Sequence, residues 1–297
     1  MATNVQETPR KSLHFEPRRA ETSTEDKVVG ALSHTALTIW SLIVILPLLW
    51  TFMSSFKSSS EIFASPFALP SVWHFDNYAR AWTSAGIGSY FLNSVIVVGC
   101  ALVIVMALGA MCAYVLARYT FPGSRAIYYL LLAGLTFPIF LAMVPLFFIL
   151  RNIGLLNTLP GLIVTYVAFA LPFTVFFLFS FFKTLPNEIA EAAAIDGAGE
   201  WRTFFQVMLP MAKPGIASVA IFNFLGLWNQ FLIPVSINAA GPRVLSQGLA
   251  AFAGQMGYAV DFGALFAAVT VTVIPVLIVY VIFQRQLQGS VSAGTLK

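Results

Sequence analysis

Six long apolar runs, separated by segments that carry charge, dominate the chain. The first begins at residue 31 and the last ends at residue 283, and none contains Asp, Glu, Lys or Arg. About 20 apolar residues in a helix cross the hydrocarbon core of a bilayer, so the pattern predicts an all-α integral membrane protein with six transmembrane helices. Prolines inside the runs, Pro138 among them, favour kinks. The predicted spans are 31–53, 87–116, 126–150, 160–182, 216–237 and 262–283.

Composition supports this prediction and excludes several classes of protein. Hydrophobic residues make up 59% of the 297 residues and charged residues only 9%, and the mean hydropathy is +0.84. A soluble domain carries about 25% charged residues because its surface faces water. The chain therefore has too little charge for a soluble globular protein, a disordered protein or a nucleic-acid-binding protein.

The distribution of Lys and Arg predicts how the chain crosses the membrane. An even number of spans puts both termini on one side, and all but four of the 16 Lys and Arg residues fall in segments on that side. Because cytoplasmic segments of membrane proteins carry the excess of positive charge, both termini are predicted to be cytoplasmic. The four on the outer side are Lys57, Arg80, Arg151 and Arg243.

The N-terminal segment differs from the rest of the chain. Residues 1–30 hold five basic and five acidic residues and few large apolar ones. Such a segment cannot bury enough apolar surface to offset the entropy lost on folding. We therefore expect a disordered cytoplasmic tail over 1–30 and one transmembrane domain over 31–297, with its core at about 87–285.

Sequence patterns that mark enzymes and ion-coupled carriers are missing from the chain. It has no Gly-x-x-x-x-Gly-Lys-Ser/Thr loop for a nucleotide phosphate and no Gly-x-Ser-x-Gly nucleophile elbow. His14, His34 and His74 lie far apart along the sequence, so no metal site is expected. Proton-coupled carriers need an ionisable residue within a span, and the six runs hold no Asp, Glu, Lys or Arg. We expect no catalytic residue, and a stand-alone secondary carrier or channel for a small polar solute remains the alternative to a transporter driven by another subunit.

The longest predicted cytoplasmic connection, residues 183–215, carries the most informative pattern. An alanine-rich helix is predicted after Glu188, and Gly197 ends it because glycine accepts the left-handed backbone that follows many helices. A second short helix is predicted over 200–208, before Pro210. This helix–turn–helix is too apolar to face water everywhere, so we expect it to dock onto another protein; an amphipathic loop lying on lipid is the alternative. The apolar side chains of the second helix are Trp201, Phe204, Phe205 and Val207.

The spacing within this loop resembles a known family. Glu191-Ala192-Ala193, three residues, Gly197, nine residues and Val207-Met208-Leu209-Pro210 resemble the EAA loop of ABC importer permeases, with Val207 in place of isoleucine. The longer string from Glu191 to Gly215 is similar to the carbohydrate branch, and in particular to the smaller permease of maltose-type importers. The resemblance covers about residues 45–297. Further stretches that agree with it are Ser55-Phe56-Lys57, Phe75-Asp76-Asn77-Tyr78 and the tail 289–297.

The resemblance implies a function and a set of partners. The chain would be the permease subunit of an importer in a bacterial or archaeal plasma membrane, moving a sugar or sugar-like solute by alternating access. Its partners would be a second, usually non-identical permease, two ATPase subunits that bind ATP and Mg²⁺, and an extracytoplasmic solute-binding protein; this chain itself would bind no cofactor and no nucleic acid. In this family the EAA loop forms coupling helices that lie in a cleft of the ATPase. The coupling residues carried over are Glu188, Glu191, Ala192, Ala193, Asp196, Gly197, Ala198, Phe204, Leu209 and Pro210.

Polar side chains in the fifth predicted span are candidates for substrate contacts. Amides with an aromatic ring suit a polyhydroxylated sugar, but polar residues in membrane helices also join helices to one another, and both interpretations stay open. The outer segment 238–261 resembles the part of maltose-type permeases that reaches towards the binding protein, and its glycines fit a mobile loop or ordinary turns. The candidate pathway residues are Asn223, Trp228, Asn229 and Gln230.

Overall fold

The computed structural model describes residues 24–254 and 261–294, and the regular secondary structure in these residues is helical. The chain divides into two units between Leu49 and Trp50, and every site discussed below lies in the second. The helices are α1 (Thr24–Ser54), α2 (Ser59–Ala64), α3 (Asp76–Thr83), α4 (Ile87–Arg118), α5 (Ser124–Thr136), α6 (Ile139–Asn152), α7 (Leu159–Thr184), α8 (Asn187–Ile195), α9 (Glu200–Arg202), α10 (Leu209–Met211), α11 (Lys213–Trp228), α12 (Leu232–Ile237), α13 (Leu245–Gly254) and α14 (Phe262–Gly294), with a π-helix at Thr203–Met208.

Four of the predicted spans are continuous helices. In the described part of the chain, α1, α4, α7 and α14 are long and apolar enough to cross a membrane. They correspond to the first, second, fourth and sixth apolar runs. α1 begins at Thr24, so residues 24–30 of the segment predicted as a tail are helical, and residues 1–23 lie outside the described residues. The charges at 25–27 end the apolar run but do not end the helix.

The third and fifth predicted spans are not single helices. α5 and α6 meet at Phe137 and Pro138 with a bend of 107°. Proline pushes the residue before it out of the helical region, and Phe137 has an extended ψ of 120°. α11 likewise stops at Trp228, and α12 begins at Leu232. The predicted spans 126–150 and 216–237 are therefore interrupted helices. Among the described residues, four helices can cross a membrane, or up to six segments if α5 with α6, and the bent pair Glu200–Met211 and α11, are each counted as one span.

α4 and α7 pack against each other along most of their length and form the centre of the second unit. At Gly109 the two helices lie so close that an added Cβ atom would be 2.4 Å from Cγ2 of Thr174. Small residues permit this approach, and membrane helices use it to gain van der Waals contact. Buried side chains around the pair form two clusters. The first includes Val97, Ala101, Leu162 and Tyr166, and the second includes Ala113, Tyr114, Leu178, Phe182, Phe204 and Met208.

Residues 55–57 and 75–78, two of the stretches that carry the family resemblance, lie on either side of α2 in the sequence and contact each other on the predicted outer side. Asn77 is buried, and its Nδ2 donates to the carbonyls of Ser55 at 2.8 Å and Lys57 at 2.9 Å. The hydroxyls of Ser55 and Tyr78 lie 2.7 Å apart. The Lys57 side chain is also buried, and its Nζ donates to the carbonyl of Ser65 at 2.9 Å. These bonds hold the segment between α1 and α4 in one fixed arrangement.

Arg80 joins this segment to the start of α14. Its Nε donates to Oδ2 of Asp261 at 2.6 Å, and the same guanidinium contacts Asp76 and Asn77. Burial alone would raise the pKa of Asp261, but hydrogen bonds from Arg80 and from the N–H of Ala264 outweigh it and lower that pKa. The pair is therefore ionised at neutral pH.

The segment 238–254 packs against other parts of the second unit. Residues 238–244 fold back towards Asn157, and α13 follows. A Cβ atom at Gly241 would lie 2.2 Å from the carbonyl oxygen of Asn157, and one at Gly248 would lie 2.0 Å from the Tyr90 ring. These two glycines are needed for close packing, which favours ordinary turns, the second of the two interpretations left open by the sequence. Gly257 falls outside the described residues.

Candidate functional site

The first half of the 183–215 loop is a short helix with a well-defined end. α8 is followed by Gly197, whose φ is +76°. The N–H of Ala198 donates to the carbonyl of Ala193 at 2.9 Å, and the N–H of Gly197 donates to that of Ala194 at 3.0 Å. This pair of bonds is the Schellman arrangement, which satisfies carbonyls at a helix end. The turn predicted at Gly197 is confirmed.

The second half of the loop differs from the predicted α-helix over 200–208. One turn of α-helix leads into the π-helix Thr203–Met208, and helical structure continues through Pro210 to Met211. The N–H of Leu209 donates to the carbonyl of Phe204, five residues back. Pro210 has no N–H to give to an ordinary helical bond, and the wider turn accommodates it. The chain then bends by 76° before α11. Single π-helical turns of this kind are frequent at functional sites.

The apolar side chains of the loop divide into an exposed set and a buried set. Ile195 is 86% exposed, Trp201 71% and Phe205 50%, and the rings of Trp201 and Phe205 stack with centroids 5.9 Å apart. Phe204, which the sequence grouped with the docking side chains, is only 4% exposed. Its ring packs on Tyr114 of α4 at 5.0 Å. Phe204 therefore anchors the loop to α4, while Ile195, Trp201 and Phe205, which we call the apolar face, remain available to a partner.

The C-terminal end of α4 holds both halves of the loop. Nη2 of Arg118 donates to the carbonyl of Leu185 at 2.8 Å, and Nη1 contacts Oδ1 of Asn187, the first residue of α8. The hydroxyl of Tyr119 donates to Glu200 at the start of the second half. Burial and this bond raise the pKa of Tyr119, so the hydroxyl stays protonated. Sequence reasoning missed Arg118 and Tyr119, because these contacts join residues 67 to 81 positions apart and no motif marks them.

The other coupling residues predicted from the resemblance are mostly on the surface. Ala193 is buried against the second cluster, and Ala198 and Leu209 are half-buried. The exposed ones are Glu188, Glu191, Ala192, Asp196 and Pro210.

A second candidate site is a cleft of about 340 Å³ between α5, α7 and α11, which we call the α7–α11 cleft. It opens beside the break at Phe137, and aromatic rings make up much of its wall. Asn223 and Gln230 bring amide groups to it, and none of the described residues that line it is charged. The lining residues are Gly134, Leu135, Phe137, Ile139, Phe169, Ala170, Phe173, Phe222, Asn223, Gly226, Leu227 and Gln230.

The structure separates the four candidate pathway residues. Nδ2 of Asn223 donates to Oγ1 of Thr174 at 2.8 Å, while Gln230 is half-buried at the cleft. Trp228 is buried elsewhere, with its Nε1 donating to the backbone carbonyl of Thr272 at 3.2 Å.

Asn229 is exposed, and its Nδ2 bonds to the carbonyl of Leu225 in its own helix at 2.9 Å. Asn223 and Gln230 are thus brought together at the cleft, and Trp228 and Asn229 are not among its lining residues. Sequence reasoning missed the cleft phenylalanines, such as Phe173 and Phe222, which look like ordinary span residues in a chain with 28 phenylalanines.

Comparison with known proteins assigns the chain to a family. Residues 105–293, which include α7, the 183–215 loop and α11, match the model of the binding-protein-dependent transport system inner membrane component. The chain belongs to this family. It is a multi-pass membrane protein, as the apolar helices already indicate.

Two relatives of the chain are transport permeases. The chain is 66% identical over 276 residues to the diacetylchitobiose uptake system permease protein NgcG of Streptomyces coelicolor, covering 93% of this chain and 91% of that protein. It is 35% identical over 254 residues to the trehalose transport system permease protein SugB of Mycobacterium tuberculosis, covering 85% and 92%.

A solved structure has the same fold. The chain matches a subunit in the crystal structure of a bacterial ABC transporter that imports the acidic polysaccharide alginate, with a TM-score of 0.77 and 22% identity over 89% of this chain and 98% of that one. At this identity the likeness concerns the fold, which confirms the all-α permease architecture.

Proposed function

We propose that this chain is the membrane-spanning permease of an ATP-driven importer for a neutral N-acetylated disaccharide of the diacetylchitobiose type. The observation that carries the proposal is the 66% identity to the diacetylchitobiose permease of Streptomyces coelicolor, which extends over 93% of the chain. The trehalose permease, at 35% identity, supports the broader class of sugar importers.

The apolar face of the 183–215 loop is the proposed contact with the ATPase. Ile195, Trp201 and Phe205 are large and exposed, and the rings of Trp201 and Phe205 stack on each other. Exposed apolar side chains of this kind on a loop typically mark an interaction site. Arg118 and Tyr119 connect the loop to α4, so a force on the loop reaches the transmembrane helices. ATP and Mg²⁺ would be bound by the partner ATPase, and the chain needs no nucleotide site of its own.

The α7–α11 cleft is the proposed contribution of this chain to the solute pathway. The phenylalanine rings offer apolar surface to the faces of sugar rings and to acetamido methyl groups, and the amides of Asn223 and Gln230 can bond to hydroxyl and acetamido groups. A cleft without charged lining residues favours a neutral solute, because an ion would lose its hydration there without gaining a counter-charge. A second permease would complete the pathway, and a solute-binding protein would deliver the sugar on the predicted outer side.

Uptake by the complete importer tests this proposal. The chain is purified with its partner permease and ATPase, placed in proteoliposomes containing ATP, and supplied with the cognate binding protein and radiolabelled diacetylchitobiose. We expect uptake that requires ATP and that excess unlabelled diacetylchitobiose abolishes, whereas cellobiose, a β-1,4 disaccharide without acetamido groups, competes weakly. Uptake by the chain alone without ATP would contradict the importer and favour the stand-alone carrier. ATP-dependent uptake of cellobiose in preference to diacetylchitobiose would contradict the substrate.

A further inference from the structure

The chain between α2 and α3 exposes a run of large apolar side chains. Residues 62–73 include no Asp, Glu, Lys, Arg or His. Phe67 is 89% exposed and Leu69 is 70% exposed. Exposed apolar surface of this kind marks contact with another protein or with a membrane. The other large side chains of the segment that are more than half exposed are Phe63, Val72 and Trp73.

Hydrogen bonds on both sides of the two most exposed side chains fix the backbone of segment 62–73. The side chain of Lys57 is buried, and its Nζ donates to the carbonyl of Ser65 at 2.9 Å. Further along, the N–H of Ser71 donates to Oε1 of Glu61 at 2.6 Å. The folded chain therefore presents these apolar side chains outward in a defined position, and they do not turn inward to pack on the second unit.

Segment 62–73 lies where two membrane-spanning helices end. Nε1 of Trp50, in the last two turns of α1, donates to the carbonyl of Pro66 at 2.8 Å. The ring of Phe63 meets the ring of Phe262, the first residue of α14, edge to face with centroids 4.8 Å apart. Both helices are long and apolar enough to cross a membrane, and the ends of such helices lie at the level of the lipid headgroups. Contact with both ends therefore puts the segment at that level.

We propose that segment 62–73 is a membrane-surface anchor, in which Phe67 and Leu69 insert among the headgroups and upper acyl chains of the leaflet on the predicted outer side. The segment continues the apolar surface of two spans and brings no charge with which to bind a protein, so lipid is the partner that it fits. An indole ring is favoured at this depth, which suits the exposed Trp73. The inference needs only a chain that spans a membrane and is independent of the proposed solute.

Fluorescence from a dye at position 67 tests the anchor. The protein, with Cys100→Ala and Cys112→Ala, is purified with the subunits that accompany it and placed in phosphatidylcholine nanodiscs, and Phe67→Cys is labelled with an environment-sensitive dye. A nitroxide near the headgroup end of the lipid acyl chain should quench the dye. Dissolved iodide should quench it at least about tenfold less than a dye at Arg243→Cys, because an ion that enters apolar surroundings loses its hydration. Arg243 is the control, since its charged side chain is exposed and also on the predicted outer side.

A second position and the remaining outcomes make the test decisive. Leu69→Cys repeats the measurement on the same segment and gives the answer if Phe67→Cys does not assemble. Strong quenching by iodide without quenching by the nitroxide would show that the segment faces water. Protection from both quenchers would show that another subunit covers it, and protection from iodide only after a solute-binding protein is added would assign the surface to that protein. Each of these three results would overturn the inference.

Discussion

Asn223 of α11 and Thr174 of α7 are joined inside the membrane domain by a hydrogen bond of 2.8 Å from Nδ2 to Oγ1. Both residues are buried, and Asn223 also lines the α7–α11 cleft. The sequence left two roles open for Asn223, packing between helices and contact with solute. In the structure the same amide holds α11 against α7 and contributes polar surface to the cleft.

The first prediction concerns this bond. Thr174→Val removes the acceptor hydroxyl and leaves the cleft residues unchanged, so we expect a loss of about 1 kcal/mol in stability, within the range for interhelical bonds in membranes. Thermal unfolding in detergent measures it, with Ser180→Ala as the control, because the exposed Ser180 hydroxyl bonds only to Phe176 of its own helix. A wild-type Tm for Thr174→Val would show that this hydrogen bond does not stabilise the folded protein.

The second prediction concerns the neutrality of the cleft. Gln230→Glu places a carboxylate where none of the described lining residues is charged, and an ionised residue within a span costs about 2.5 kcal/mol or more. We expect initial uptake of the neutral disaccharide at pH 7 to fall at least about tenfold, whereas Gln230→Met, which removes the amide without adding charge, should cost less. If Gln230→Glu transports at the wild-type rate, Gln230 does not face the pathway.

The third prediction concerns the turn at Gly197 in the 183–215 loop. No heavy atom lies within 4 Å of a Cβ added at Gly197, so Gly197→Val acts through its backbone conformation alone. A β-branched residue resists a φ of +76°, which costs about 1–2 kcal/mol. We expect the variant to insert normally and to hydrolyse ATP with little uptake. Gly197→Asn is the control, since asparagine tolerates this conformation, and it should keep most of the wild-type uptake per ATP.

The fourth prediction concerns pH. The pKa of Asp261 is lowered in the folded protein, so its bond with Arg80 contributes stability above the unfolded pKa of about 4 and loses it as the pH falls through the lower folded value. This group should therefore add no pH dependence to the Tm between pH 5 and 8, where its stabilisation is fully present, and the Tm should fall below about pH 4. Asp261→Asn should have a smaller fall over the same acid range. An identical acid profile for the two proteins would contradict this assignment.

Much of the fold follows from simple features of the sequence. The absence of charge locates the spans, and Pro138 indicates where the third is broken. The angle of 107° at that break was not predictable, because it depends on packing against α7. The contact of Arg80 with Asp261 joins residues 181 positions apart, and no local pattern relates them.

The directions of the side chains in the 183–215 loop could not be predicted either, although the residues concerned are close together in the sequence. Trp201, Phe204 and Phe205 look like one apolar face when a regular α-helix is assumed. The π-helix changes the angular spacing, so Phe204 and Met208 turn inward while Trp201 and Phe205 face outward. A propensity argument does not predict a π-helix, since its cause here combines Pro210 with the buried contact on Tyr114.

Photocrosslinking from the apolar face tests the central claim, that the 183–215 loop couples this permease to an ATPase. A photoreactive phenylalanine analogue replaces Ile195 in the complex purified from native membranes, and the same analogue at exposed Thr120, between α4 and α5, serves as the control. The account predicts an adduct at position 195 with a subunit whose peptides, identified by mass spectrometry, contain a phosphate-binding Gly-x-x-x-x-Gly-Lys-Ser/Thr loop. Adducts with lipid alone at position 195, or equal capture of that subunit from position 120, would contradict it.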